Sequence, residues 1–313
     1  MKHVLSARQF SKKELAILFK RADDMRAAVR SPHKRRTLTE LHKGRVMATL
    51  FYEPSTRTRL SFETAAQRLG MSLVSTENAN DSSSNAKGET LEDSIRTVSS
   101  YADVIVLRHP QTGSADRAAA VSKVPIINAG DGGRGQHPTQ ALLDLYTIVK
   151  ELGLPDAKVI ALCGALKYYR PSRSLATLLA LYSPTKIILV SPAALKMQID
   201  IKRLLVNANI NYIETEDFDR AISEADVLYQ NRIPKEYFQT VKEYKKYKGR
   251  YVLTTQKANS MKNGSIIMHP LPRVDEIEPE VDSNSRTAYF RQAENGLYVR
   301  MALLDLLLSR SRY

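Results

Sequence analysis

Only one cysteine, Cys163, occurs in 313 residues. No internal disulfide can form, so a reducing compartment, by default the cytoplasm, is the expected home. No apolar run approaches the roughly 20 residues that cross a bilayer, which argues against a membrane protein. Residues 1–6 carry a charge without the apolar stretch of a secretory leader. Acidic residues are the scarcer sign, 33 against 47 Lys and Arg, for a net charge of +14. The densest basic stretches, His33-Lys34-Arg35-Arg36 and residues 242–250, lack the aromatic or glycine pattern of an RNA-binding module. Nucleic acid is therefore not the expected partner, and a solvated surface that attracts small anions is the better reading. Solenoid repeats and low-complexity segments are missing too.

What is present is ordinary for a folded chain, with 43% apolar and 26% charged residues at a length that accommodates two α/β domains. Short apolar runs at 46–51, 103–107, 124–127, 158–162, 186–190, 227–229 and 265–268 read as strands. Helix-length segments lie between them, such as 58–69 closed by Gly70 and 138–152 closed by Gly153, each glycine standing where a helix C′ residue belongs. This alternation predicts an α/β fold of two domains, each a parallel β-sheet flanked by helices. The stretch 78–87, rich in Ser, Asn and Asp, reads as a mobile loop. An apolar run, Met301-Ala302-Leu303-Leu304 and Leu306-Leu307-Leu308, marks a terminal helix near 289–310 that should return to the first domain.

Unusual polar residues cluster just past the strands, at 53–59, 108–110, 129–137, 163–170, 230–234 and 269–273. Open parallel sheets bind ligands at those strand ends. The first cluster, Ser55-Thr56-Arg57-Thr58-Arg59, follows a strand and opens a helix. Free N–H groups and the positive end of the dipole make such a helix start an anion site. Three hydroxyls add donors, and Arg57 can fork onto phosphate oxygens. The glycines and lysine of a P-loop are missing, so no nucleotide is implied. On spacing alone, a capped helix with solvated arginines is an equal reading.

The run Phe51-Tyr52-Glu53-Pro54-Ser55-Thr56-Arg57-Thr58-Arg59-Leu60-Ser61-Phe62-Glu63 resembles the carbamoyl-phosphate signature of the aspartate and ornithine carbamoyltransferases. The resemblance continues through Lys87-Gly88-Glu89-Thr90, Val106-Leu107-Arg108-His109-Pro110, Asn128-Ala129-Gly130-Asp131-Gly132 and the segment from His137 to Asp144. It ends with His269-Pro270-Leu271-Pro272-Arg273, which is similar to the aspartate branch, and with Tyr289-Phe290-Arg291-Gln292-Ala293. What the resemblance implies is transfer of a carbamoyl group from carbamoyl phosphate to the amine of L-aspartate, the first committed step of pyrimidine synthesis. Carbamoyl phosphate carries its own leaving group, so no metal or other cofactor is implied.

By the same resemblance, Ser55, Thr56, Arg57 and Thr58 would bind phosphate, with Arg108 reaching both phosphate and carbonyl. Thr58, Arg108 and His137 would face the carbonyl oxygen, where charge grows in the transition state. Gln140 and the backbone carbonyls of Pro270 and Leu271 would accept from the carbamoyl NH₂, and Glu53 would pair with an arginine. Arg170 and Arg232 would hold the aspartate carboxylates. Ser83 and Lys87 would reach a neighbouring subunit's site, which implies a homotrimer, and a regulatory chain is a partner the family allows. The implied domains are 1–137, completed by 292–313, for carbamoyl phosphate, and 138–291 for the amino acid.

The acceptor half departs from the family pattern. Where Gly-Asp-Leu-Lys-x-Gly-Arg-Thr-Val is usual, this chain reads Gly164-Ala165-Leu166-Lys167-Tyr168-Tyr169-Arg170-Pro171-Ser172. Where Thr-Arg-x-Gln-x-Glu-Arg is usual, it reads Asn231-Arg232-Ile233-Pro234-Lys235-Glu236-Tyr237. Pro171 is expected to restrain Arg170 towards extended geometry. Two alternatives stay open: a different carboxylated amine as acceptor, or a catalytically weak carbamoyl-phosphate-binding partner subunit.

Overall fold

The computed structural model describes residues 2–77, 88–133, 135–235 and 238–309. The chain divides into two compact units, Met1–Leu142 with Glu294–Tyr313, and Leu143–Ala293. The segment 78–87, expected as a loop, lies outside the described residues. None of the described helices is long and apolar enough to cross a membrane.

In the first unit the order is α1 (Lys12–Arg30), α2 (Pro32–Leu38), β1 (Val46–Phe51), α3 (Thr56–Arg68) and β2 (Ser72–Glu77). It continues with α4 (Leu91–Val98), β3 (Val104–His109), α5 (Ser114–Val121), β4 (Ile126–Asp131) and the start of α6 (Pro138–Leu152). All pairings are parallel, in the order β2-β1-β3-β4. The apolar face of β1 and β3, with Ala48, Leu50, Ile105 and Leu107, packs on Leu91 and Ile95 of α4. Burying each Leu or Ile side chain there stabilises by about 1.5–3 kcal/mol.

The second unit holds β5 (Val159–Cys163), α7 (Arg170–Leu179), β6 (Lys186–Val190), α8 (Ile199–Asn207), β7 (Tyr212–Thr215), α9 (Phe218–Glu224) and β8 (Val227–Gln230). Then come α10 (Val241–Lys245), α11 (Thr255–Ser260), β9 (Ile266–Met268) and α12 (Tyr289–Ser309), whose later turns belong to the first unit. This sheet is also parallel, in the order β7-β6-β5-β8-β9.

The expected alternation is present, with two strands the sequence did not announce, β2 and β7. Both are edge strands with half-exposed faces, and their residues, Ser72–Glu77 and Tyr212–Thr215, form no apolar run. Solvent reaches the faces of these two and lets polar residues stand along them, whereas the other edge strands, β4 and β9, are buried throughout and read as apolar runs.

The terminal helix returns to the first unit through a buried ionic cluster. Asp305 accepts from His42 Nε2 at 2.8 Å and from Arg21 Nε at 2.7 Å, with His42 2% and Asp305 6% exposed. Burial pushes the Asp305 carboxyl up, but the bonds from His42 and Arg21 outweigh it and hold it below its ordinary value.

Candidate active site

Strand order places the crevice in each sheet. In the first, the chain leaves β1 towards β2 and leaves β3 towards β4, so the crossovers diverge between β1 and β3. In the second they diverge between β5 and β8. A ligand site belongs beyond the carboxyl ends of the strands at such a switch point. Of the polar clusters past the strands, those after β1, β3, β5 and β8 are therefore the central ones.

After β1, Ser55 is the N-cap of α3 with φ −160°, and its hydroxyl makes no capping bond. The first-turn amides of α3 have no intrahelical acceptor, which is the condition for holding an anion. Thr56 and Arg57 are exposed there, Ser55 is half-buried, and Thr58 is buried. Arg59 turns elsewhere, pairing with Glu63 at 3.3 Å and Glu77 at 2.8 Å, so it anchors α3 to β2. Of the two arginines in the motif, only Arg57 is left exposed.

Arg108 sits near the end of β3, level with Phe51 of β1. Its Nη1 donates to Ala129 O at 3.4 Å, and its Nε lies 3.4 Å from Glu53 Oε2. The expected pairing of Glu53 with an arginine is thus with Arg108. The Tyr52 N–H donates to Arg108 O at 2.9 Å and the Gly132 N–H to His109 O at 2.9 Å, which locks the three strand ends together. His109 is buried and accepts from the Gln111 N–H on Nδ1 at 3.1 Å. Burial and the charge of Arg117 lower its pKa, so its ring stays neutral.

The loop after β4 is tied by Asp131, 4% exposed. Its Oδ1 accepts from Asn128 Nδ2 at 3.0 Å and the Gln136 N–H at 2.7 Å, and its Oδ2 from the Gly113 N–H at 2.8 Å. A Cβ on Gly135 would stand 1.8 Å from Asp131 O, so only glycine fits that approach. The loop delivers His137 to the start of α6, where the imidazole is 6% exposed. The Gln140 N–H donates to His137 Nδ1 at 3.3 Å. A neutral ring with Nδ1 accepting carries its proton on Nε2, the form that can donate to a carbonyl oxygen.

In the second unit, Arg170 opens α7 beyond β5, and Arg232 lies two residues beyond β8. The expectation that Pro171 holds Arg170 extended is corrected: Arg170 is the first helical residue, and the extended backbone is at Tyr169, φ −80° and ψ 98°. Proline in a first turn removes only an N–H with no helical partner, so the helix accepts it. Ala165 is 0% exposed, Tyr169 8%, and Pro234 is buried. Three of the departures from the family pattern are therefore packing residues.

Beyond β9, Pro270 and Leu271 are half-buried, and Leu271 has φ +55°. This left-handed turn is held by His269, whose Nδ1 accepts from the Leu271 N–H at 2.8 Å and whose Nε2 lies 2.7 Å from Glu276. Further back, Gln292 accepts from the His269 N–H at 2.9 Å and donates to Asp144 at 2.6 Å, while the Tyr229 hydroxyl donates to Asp144 at 2.6 Å. The bonds from His269 hold the Glu276 carboxyl below its ordinary value, against burial, which raises it. His269, Gln292 and Asp144 lie in the segments that carry the family resemblance, but their supporting role had no signal in the sequence, because each is an ordinary polar residue until the fold supplies its partner. The predicted Ser83 and Lys87, and Tyr237, lie outside the described residues.

The chain is similar to known proteins along nearly its whole length. Residues 2–150 match the model of the aspartate/ornithine carbamoyltransferase carbamoyl-P binding domain, and residues 156–307 that of the Asp/Orn binding domain. Aspartate carbamoyltransferase 3, chloroplastic, of Pisum sativum is 52% identical over 97% of this chain and 77% of its own length. The catalytic subunit of M. jannaschii aspartate transcarbamoylase superposes with a TM-score of 0.90 at 46% identity, covering 99% of both chains. The Trypanosoma cruzi aspartate transcarbamoylase solved with N-(phosphonacetyl)-L-aspartic acid gives 0.90 at 39% identity, over 97% of this chain and 95% of that one.

Proposed function

The chain belongs to the aspartate/ornithine carbamoyltransferase family, and from that premise we propose that it carbamoylates L-aspartate, giving N-carbamoyl-L-aspartate and phosphate. The observation that carries the reading is the helix start at Ser55–Thr58 standing beside Arg108 at the β1/β3 switch point. An anion at that helix start meets aligned N–H donors, and Arg108 stands near the end of the adjoining strand β3, level with Phe51.

In this reading Ser55, Thr56, Arg57 and Thr58 hold the phosphate. Thr58, Arg108 and the Nε2–H of His137 direct donors at the carbonyl oxygen, and Gln140 with the carbonyls of Pro270 and Leu271 orients the NH₂. The uncharged amine of aspartate attacks the carbonyl carbon, negative charge collects on its oxygen, and the C–O bond to phosphate breaks. The proton lost by the amine goes to the departing phosphate. Donors fixed before the reaction need no reorganisation, which is the main source of acceleration in such sites. Arg170 and Arg232 bind the two carboxylates. A homotrimer in which Ser83 and Lys87 serve a neighbouring subunit's site is part of the same proposal. Placement in a reducing compartment such as the cytoplasm is supported by the lone, buried Cys163. A regulatory chain is the further partner the family allows.

The reading is tested with purified chain, carbamoyl phosphate and a panel of amines including L-aspartate and L-ornithine. Saturable carbamoyl-aspartate formation in preference to every other product supports it. Preference for another amine replaces aspartate as the acceptor. Tight carbamoyl-phosphate binding without turnover would make the chain a binding subunit. For the assembly, a Lys87→Ala chain mixed with a His137→Ala chain should regain activity by sharing sites, and no recovery in verified mixed oligomers would argue against shared sites.

A further inference from the structure

Resting on that functional reading, we propose that Asn231 is a positioning residue that sets the spacing of Arg170 and Arg232. It is the first residue past β8, next to Arg232, and is 1% exposed. Its N–H donates to Cys163 O at 2.9 Å, at the end of the neighbouring strand β5. Its side-chain Nδ2 donates to the same Cys163 O at 3.0 Å and to Ser172 Oγ at 2.8 Å, with Tyr229 O farther away at 3.4 Å. Two of these neighbours are carbonyls, which can only accept, so the NH₂ end of the amide must face them. Two hydrogens serve Cys163 and Ser172, and both partners belong to the segment that carries Arg170.

Ser172 lies in the first turn of α7, two residues after Arg170. One side chain thus ties the neighbour of Arg232 to the helix turn that presents Arg170. A third feature brings the same two strand ends together. Gly164 has φ +116°, and a Cβ there would stand 2.4 Å from Asn231 O, so the chains after β5 and β8 touch where only glycine fits. Both bonded residues also stand where the family pattern reads otherwise, valine at position 172 and threonine at 231. Two departures from the pattern are therefore bonded to each other. Together with buried Ala165, Tyr169 and Pro234, they form a frame of this chain's own for the two arginines.

Displacing a substrate-binding group by about 1 Å can cost on the order of a hundredfold. Asn231→Ala should therefore raise the KM for L-aspartate about ten- to a hundredfold, with a smaller fall in kcat and the KM for carbamoyl phosphate within about twofold of the unaltered chain. Ser172→Ala should raise the aspartate KM less, about threefold, and the double variant should be no worse than Asn231→Ala, because both changes remove one shared bond. Asn231→Thr, whose hydroxyl can still donate to Cys163 O, should recover part of the loss. Melting is followed on the same samples. An aspartate KM unchanged in folded Asn231→Ala overturns the inference, and so does an equal rise in both KM values, which is general destabilisation. If Asn231→Ala yields no folded protein, Ser172→Ala decides: a selective threefold rise supports the inference and no change overturns it. The unaltered chain runs in parallel. Transfer to aspartate there, with an unmoved variant KM, sinks this inference alone, whereas no transfer to aspartate there sinks the functional reading and this inference with it.

Discussion

The two units solve one problem, presenting arginines at the carboxyl end of a parallel sheet, in different ways. In the first, Arg108 is fixed by polar partners, Glu53 and Ala129 O, and its neighbouring loop by the carboxylate of Asp131. In the second, the loops of Arg170 and Arg232 are framed by buried Ala165, Tyr169 and Pro234 and by the side-chain amide of Asn231. The first unit keeps the donor residues of the family motif, although its stretch 132–137 reads about one residue longer than the pattern, and the second replaces several members of its motif. In the proposed reading, an anion cradle depends on particular donor groups. The spacing of two long cationic side chains depends on backbone placement, which different buried residues can supply.

The largest expected effect breaks the donor half. His137→Ala should lower kcat by about a hundred- to a thousandfold, the scale of losing one oxyanion donor. It should leave the KM for aspartate within a few-fold, as steady-state kinetics would read. Arg232→Met should do the reverse. Losing a charged partner for a carboxylate costs about 1.5–3 kcal/mol, so the aspartate KM should rise roughly ten- to a hundredfold while carbamoyl-phosphate affinity in calorimetry holds.

A smaller effect concerns stability within the first unit. Asp305→Asn leaves His42 and Arg21 without their carboxylate and should destabilise by about 3 kcal/mol near neutral pH. The Asp305 carboxyl is held below its ordinary value, so its contribution is present above the unfolded-state pKa of about 4. It is lost as pH falls through the folded value. Urea midpoints of the variant and the unaltered chain should therefore converge below pH 4, and a gap that widens there would contradict the assignment. The smallest effect is on encounter. With a net charge of +14, kcat/KM should fall several-fold from low salt to about 0.3 M while kcat holds. An unchanged second-order rate would remove any role for steering.

Much of this was legible beforehand because buried parallel strands announce themselves. Val104–His109 and Lys186–Val190 carry runs that only a two-sided interior explains. The edge strands β2 and β7 were silent because solvent replaces half of their packing. The residues proposed as phosphate donors stood out as a motif since Ser55–Thr58 are contiguous. Asn231 and Ser172 were not, since 59 positions separate them and their bond exists only once β8 lies beside β5. Pro171 misled for a related reason. Its restraint on the preceding residue was read without knowing that α7 starts at Arg170.

The most direct test of the central claim is to follow ¹³C-labelled carbamoyl phosphate by NMR with L-aspartate and the purified chain. The account predicts a ureido carbon of N-carbamoyl-L-aspartate appearing in step with phosphate, and neither signal growing at that rate with His137→Ala. Phosphate release without the ureido carbon, or equal rates with and without His137, would contradict it.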